Sequence, residues 1–387
     1  MSRLPVIGIT CYPSAGGSGV IASELGVRLA RSGCEVHFIA SSLPLRLRRF
    51  DRNIFFHKVE SASYPVFLGD PYTLALATMM SEVARRHDLD ILHVHYAIPH
   101  AAAGFLAREM TGGRLRLVTT LHGTDVTLVG QEPSFLPIIR FLIQRSDAVT
   151  AVSRFLQEET ARVFAPGRAV EVIPNFVDTR LFRPRPDPRL RAQFAAPQER
   201  LLIHASNFRA VKNVPAVIEV FALVAAALPA RLLLIGDGPE LPLAHDLAAR
   251  RGVAARVRTL GQVENMAQIL PLGDLTLLPS LHESFGLVAL ESMSCGTPVI
   301  ATNRGGTGEY IENGHNSFLC DPQDVVGMTE VALRVLRDEP ARRHMAEEGR
   351  RDVTSRFDER CVMRQYLALY ERVMKEPTAD AATGAPA

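Results

Sequence analysis

Short apolar runs alternate with amphipathic stretches along most of the chain, and the alternation breaks once. In the first half Val6–Thr10 reads as a strand. A loop of small residues follows, Pro13-Ser14-Ala15-Gly16-Gly17-Ser18-Gly19, and then Ile21, Leu25 and Leu29 recur at helical spacing. Further strands are predicted at Glu35–Ala40, Ile91–His95, Leu115–Thr120 and Ala148–Val152. The pattern stops at Ile173–Asp178, and Pro184, Pro186 and Pro188 mark a linker. It then resumes with strands at Leu201–Ser206, Arg231–Ile235, Val257–Leu260, Leu275–Pro279 and Val299–Thr302. Between these lie helices near Val214–Leu228, Leu241–Arg250 and Phe285–Cys295, and two helices, Asp324–Arg337 and Asp358–Val373, close the chain. Strands that alternate with helices build a parallel sheet covered on both faces. Two such runs predict an α/β protein of two doubly wound domains, with ligands outside the carboxyl ends of the strands.

The composition agrees. At roughly 150 residues per domain, 387 residues make two or three. Hydrophobic residues at 47% and charged residues at 22% exclude overall disorder. A formal net charge of +2 gives no general attraction to nucleic acid. No run approaches the ~18 consecutive apolar residues of a membrane span, and the N-terminus lacks a secretory layout, so neither insertion nor export is expected. The five cysteines are scattered and form no C-x-x-C pair, which suits reduced thiols in the cytoplasm.

Several segments carry candidate chemistry. Glycines at Gly16 and Gly17, between a strand and a helix, let an anion approach backbone N–H groups, although a tight turn that binds nothing fits equally well. The spacing is neither a dinucleotide fingerprint nor a P-loop. Arg209 and Lys212 follow a strand and precede a helix, where two cations suit a diphosphate; the plainer reading is a solvated basic loop. Lys212 is one of only three lysines. Glu283 and Glu291 stand eight residues apart, about 80° around one helix. A shared ligand therefore needs Glu283 in the preceding loop and Glu291 inside the helix; otherwise they are two surface glutamates. His93, His95, His100 and His122 show no metal-ligand spacing, so no metal is expected, and His122 reads as a polar strand-end residue. Arg46, Arg48, Arg49 and Arg52 form a basic loop, solvated by default, with an anionic-substrate role second and membrane contact left open.

Together these segments resemble the retaining glycosyltransferases of family 4, which have the two-domain GT-B fold. Glu283-Ser284-Phe285-Gly286-Leu287-Val288-Ala289-Leu290-Glu291 resembles the family's paired-glutamate motif, and Cys295–Thr302 with Gly305-Gly306 continues it. Gly8–Pro13 with Gly16–Gly19, His93–His100 and Thr120–Asp125 are similar to the branch that glycosylates L-malate in the first step of bacillithiol biosynthesis. The resemblance implies two Rossmann-like domains facing a central cleft: residues 1–170 for the acceptor and 171–357 for the nucleotide-sugar. A final helix at about 358–374 would pack back on the first domain, and 376–387 would be a disordered tail.

It implies UDP-N-acetylglucosamine and L-malate as substrates, with no cofactor, no metal and no nucleic-acid partner, and leaves a homodimer open. Arg209 and Lys212 would neutralise the diphosphate, Glu291 would hold the ribose, and Glu283 with Phe285, Gly286 and Leu287 the sugar. Gly16 and Gly17 would pass the diphosphate, and His122 would lie by the sugar. Ser18, Tyr96, Thr120 and Arg140 are the candidates for malate. One departure is Thr307-Gly308 after the Gly-Gly pair, where relatives carry proline and isoleucine; altered loop packing with intact chemistry is expected. Rival readings are a family 4 transferase with another acceptor, a UDP-N-acetylglucosamine 2-epimerase-like isomerase, and a two-lobed sugar-binding protein.

Overall fold

A computed structural model describes residues 3–13, 16–44, 47, 51–62 and 69–376. Arg46, Arg48 and Arg49 of the basic loop, and residues 377–387 of the expected tail, lie outside the described residues. The chain forms two compact units. One runs to Pro174 and takes up the chain again from Val362; the other is Asn175–Cys361.

The first unit contains, in order, β1 (Val6–Thr10), α1 (Gly17–Arg31), β2 (Glu35–Ala40), β3 (Ile54–Lys58), α2 (Tyr72–His87), β4 (Ile91–His95), α3 (Ala102–Met110), β5 (Arg116–Leu121), the short α4 (Thr124–Thr127), α5 (Leu136–Arg145), β6 (Ala148–Ala151), α6 (Arg154–Phe164) and β7 (Glu171–Val172). Its strands form one parallel sheet in the order β3-β2-β1-β4-β5-β6-β7. Every residue of β4 is buried, as expected of a central strand covered on both faces. Leu92, Val94 and Leu117 of the sheet pack with Leu76, Met80 and Val83 of α2. The unit boundary falls after Pro174, because Glu171 and Val172 pair with β6 and extend the first sheet.

The second unit contains α7 (Pro188–Arg191), β8 (Arg200–Ala205), α8 (Val214–Ala227), β9 (Ala230–Ile235), α9 (Leu241–Arg250), β10 (Val257–Gly261), α10 (Met266–Ile269), β11 (Leu275–Leu278), α11 (Leu287–Ser294), β12 (Val299–Thr302), β13 (Phe318–Cys320), α12 (Val325–Arg337) and α13 (Glu339–Arg356). Its parallel sheet has the order β10-β9-β8-β11-β12-β13. The last helix, α14 (Glu359–Lys375), groups from Val362 onward with the first unit.

Four elements depart from the expected strands and closing helices. β3, β7 and β13 are edge strands, and α13 makes three closing helices rather than two. α13 escapes the periodicity because Met345, Gly349 and Val353 give it only a thin apolar stripe. Ala210–Ala227 is long and apolar enough, by length and composition, to cross a membrane, although Lys212, Asn213 and Glu219 interrupt its apolar run. In the fold Val214, Val217, Phe221 and Val224 of this stretch sit in a core cluster with Leu202, Leu232 and Leu234. At about 1.5–3 kcal/mol per buried side chain, that packing accounts for its apolar character. All five cysteines are free thiols.

Candidate active site

In both sheets the chain reverses its direction of winding beside the first strand: between β1 and β4 in the first unit, and between β8 and β11 in the second. In such sheets the carboxyl-end loops on either side of that reversal are where ligands usually sit.

In the second unit the loop after β8 carries Arg209, which is exposed, and a 3₁₀ turn, Ala210–Lys212. The loop after β11 carries Glu283. Lys212 Nζ donates to Glu283 Oε2 at 2.7 Å, and Ser280 Oγ donates to the same oxygen at 3.2 Å. Asn213 Nδ2 ties the first loop down by donating to the carbonyls of Pro279 and Pro322.

Backbone bonds fix Glu283 itself: its N–H donates to Arg304 O, and its carbonyl accepts from Gly306. Gly305 makes this approach feasible. Its φ is +125°, and a Cβ there would lie 2.0 Å from the Glu283 carbonyl oxygen. Thr307 Oγ1 donates to Thr302 O at 2.7 Å and anchors the 3₁₀ turn Gly306–Glu309.

α11 begins just beyond this loop. Glu283 thus precedes the helix and Glu291 lies within it, the arrangement a shared ligand requires. Gly286 is the N-cap, with φ +86° and no side-chain cap, and no acidic residue stands in the first turn. The N-terminal N–H groups, starting at Leu287, are therefore left for an anion or a hydroxyl. Glu291 is buried. Tyr310 Oη donates toward the carbonyls of Phe285 and Gly286, at 2.7 and 3.0 Å, and holds the helix start in place. The turn after β9 packs against the loop after β8: Gly236 has φ +116°, and a Cβ there would lie 1.9 Å from Ser206 O.

In the first unit the loop after β1 leads into α1. Gly16 is its N-cap, with no side-chain cap and no acid in the first turn, and nothing stands within 4 Å of a Cβ placed on Gly17. Ser18 is the second residue of this helix.

The loops after β4 and β5 carry a packed histidine group. His93 and His95 share one face of β4, with ring centroids 4.5 Å apart. His95 Nδ1 meets His122 Nε2 at 2.8 Å, so His122 Nδ1 is the nitrogen that can face a substrate. Tyr96 stacks on His122 with centroids 5.6 Å apart and holds a φ of +90°, a strained value for a tyrosine. Asp125 accepts from the N–H groups of His122, Gly123 and Ala97 and fixes this corner.

Burial dominates the electrostatics there. It lowers His93 and His122 to about 3 and His100 to about 4, and carries His95 well below its usual range. Desolvation likewise raises Asp125 to about 6, against the pull of its N–H donors. The histidines are therefore neutral at pH 7.

Two acceptor candidates have placements that sequence could not supply. Thr120 is fully buried, and its hydroxyl bonds to His93 Nε2 and Thr150 Oγ1, both at 2.7 Å, inside the core. Tyr370 of α14 takes the other nitrogen of His93 at 2.7 Å. Arg140 is exposed on α5.

Comparison with known proteins now adds to this geometry. Residues 15–181 match the family described as Glycosyltransferase Family 4, and residues 187–352 match Glycosyl transferases group 1. The N-acetyl-alpha-D-glucosaminyl L-malate synthase of Bacillus anthracis is 46% identical over 371 residues, covering 96% of this chain and 97% of the relative. The chain belongs to family 4 of the glycosyltransferases.

A more distant relative is the GDP-mannose-dependent alpha-(1-6)-phosphatidylinositol monomannoside mannosyltransferase of Mycolicibacterium smegmatis. It is 30% identical, over 72% of this chain and 77% of its own. Among solved structures, Anabaena Alr3699/HepE in complex with UDP and glucose superposes with a TM-score of 0.81 at 23% identity, over 95% of this chain and 100% of that one. Sucrose-phosphate synthase from Thermosynechococcus elongatus gives 0.81 at 21% identity, over 96% and 99%. These likenesses establish the GT-B fold, with its two Rossmann-like domains. Within this family 4 chain, the structure brings Lys212 to Glu283 and Tyr96 to His122. Sequence reasoning passed over Tyr310, Asn213 and the role of His95, which act through contacts between distant segments. The shared face of His93 and His95 on one strand was the available signal for the last.

Proposed function

We propose that the protein transfers N-acetylglucosamine from UDP-N-acetylglucosamine to the hydroxyl of L-malate, with retention at the anomeric carbon. The observation that carries this reading is 46% identity, across 96% of the chain, to an enzyme named for that product. The Lys212–Glu283 pair at the switch point of the second sheet supports it. In this reading Arg209 and Lys212 face the diphosphate, Glu291 the ribose, and Glu283 with the start of α11 the sugar hydroxyls. Ser18, Tyr96 and Arg140 in the first unit serve the acceptor, and His122 lies beside the sugar.

The bond from the anomeric carbon to the diphosphate breaks, and the malate oxygen bonds to that carbon on the same face. The malate hydroxyl proton passes to the departing phosphate oxygen. Negative charge grows on the leaving group, so fixed cations stabilise the transition state more than the ground state. Arg209 and Lys212 supply that charge, and the transfer step then requires no divalent metal and no cofactor. We place the reaction in the cytoplasm, where five free thiols stay reduced.

The test incubates pure protein with UDP-N-acetylglucosamine and a panel of hydroxy acids, with and without a chelator, and weighs the products. UDP release coupled to a malate glycoside in both conditions is expected. Epimerised sugar without acceptor would make the protein an isomerase, and sugar binding without UDP release a binding protein. Glycosylation of another hydroxy acid in preference to malate would reassign the acceptor.

A further inference from the structure

The first unit carries a second histidine cluster, on strand positions short of the carboxyl-end loops. His37 is the third residue of β2, His57 the fourth of β3, and His87 the last of α2. The register pairs His37 with Phe55 and Ile39 with His57, so His37 and His57 are diagonal neighbours on one face. The end of α2 brings His87 onto that face, its ring centroid 4.3 Å from that of His37 and 5.5 Å from that of His57. One ring nitrogen of each histidine lies within 4.8 Å of those of the other two.

The hydrogen bonds define which atoms converge. His37 is fully buried, and its Nε2 lies 2.9 Å from Glu35 Oε1. A carboxylate only accepts, so His37 carries its proton on Nε2 and turns the Nδ1 lone pair inward. That Nδ1 accepts from His57 Nε2–H at 2.9 Å, and a bound cation would take the place of this shared proton. A carboxylate behind an imidazole whose other nitrogen faces inward is the outer-shell arrangement of histidine metal ligands.

We propose that His37 Nδ1, His57 Nε2 and a ring nitrogen of His87 bind one divalent cation of the zinc class, with Glu35 orienting His37. Three imidazoles suit zinc, copper or nickel and leave a fourth position for water. Arg86 opposes the cation, whereas the carboxyl end of α2 and Glu35 favour it. β3 is an edge strand held in the sheet by β2. The ion ties that edge to β2 and α2, and so has a structural role apart from sugar transfer.

The test uses untagged full-length protein. Zinc is titrated in competition with a chromogenic chelator, and cobalt binding is followed by its visible absorption. Binding of one ion per chain is expected, with a tetrahedral cobalt spectrum and a higher melting temperature. His57→Gln and His87→Gln, both at partly exposed positions, should each weaken zinc at least about tenfold and leave UDP release unchanged, which also shows that they fold. Absence of saturable binding near one equivalent overturns the site. So does unchanged affinity in both variants, which would assign the ion elsewhere.

Discussion

Lys212 and Glu283 stand 71 residues apart in sequence and meet at 2.7 Å. If its charge acts on a leaving diphosphate as proposed, Lys212→Ala should lower kcat by about a hundred- to a thousandfold. The pair is partly exposed, so its loss should cost about 1 kcal/mol or less of stability. Steady-state kinetics beside a thermal melt separates the two effects, and unchanged turnover removes Lys212 from the mechanism. Gly305→Ala places a Cβ against the Glu283 carbonyl at a φ of +125°. A loss of at least about 1–3 kcal/mol is expected, together with a rise in donor KM because Glu283 is displaced; a urea midpoint and a donor titration check both. Arg140→Lys should raise KM for malate and leave that for the donor, since only arginine offers a planar fork to a carboxylate. A shift in the donor constant instead would reassign the residue. The motif residues Glu283 and Glu291 were legible because one local segment holds both. Tyr310 was not, since its role depends on reaching carbonyls 24 and 25 residues back in the chain.

Among the elements, the central strands and the apolar helices were legible from periodicity, because burial on both faces leaves unbroken apolar runs. β3 was missed because its apolar run, Ile54-Phe55-Phe56, is only three residues long and ends in His57 and Lys58, as suits a half-solvated edge strand. α13 was missed because its surface is mostly charged. α11 shows how an element's start can govern a site. Tyr310→Phe removes the donor to the carbonyls of Phe285 and Gly286. A loss of about 1–2 kcal/mol is expected, with a higher donor KM and little change in the KM for malate. Denaturant unfolding and two-substrate kinetics measure these, and an unaltered donor KM would show that the helix start does not bind the sugar.

At the scale of the whole molecule, neutral buried histidines make stability depend on pH. His93 and His122 fall to about 3, and His100 and His204 to about 4, against 6.5 when unfolded. The unfolded chain therefore binds more protons than the folded one between those values, and stability falls as pH drops below 6.5. Each such histidine contributes up to about 1.4 kcal/mol per pH unit. Asp125, raised from 3.8 to about 6, works the other way over that interval, as one group against several. The unfolding midpoint should therefore drop steadily from pH 6.5 to 4. A midpoint that stays level across this range would show that these histidines are protonated in the fold.

The local pattern by itself determined the α/β class, the division into two halves, most of the central strands and the family motif. Each of those is written in neighbouring residues, as a period, a proline-marked break or a contiguous run. Tertiary structure decided the strand order, and with it which loops leave at a switch point. Buried parallel strands share one apolar signature, so nothing local says which lies beside which. That order alone brings Lys212 to Glu283, His95 to His122, and three histidines spaced 20 and 30 residues apart onto one face of a sheet.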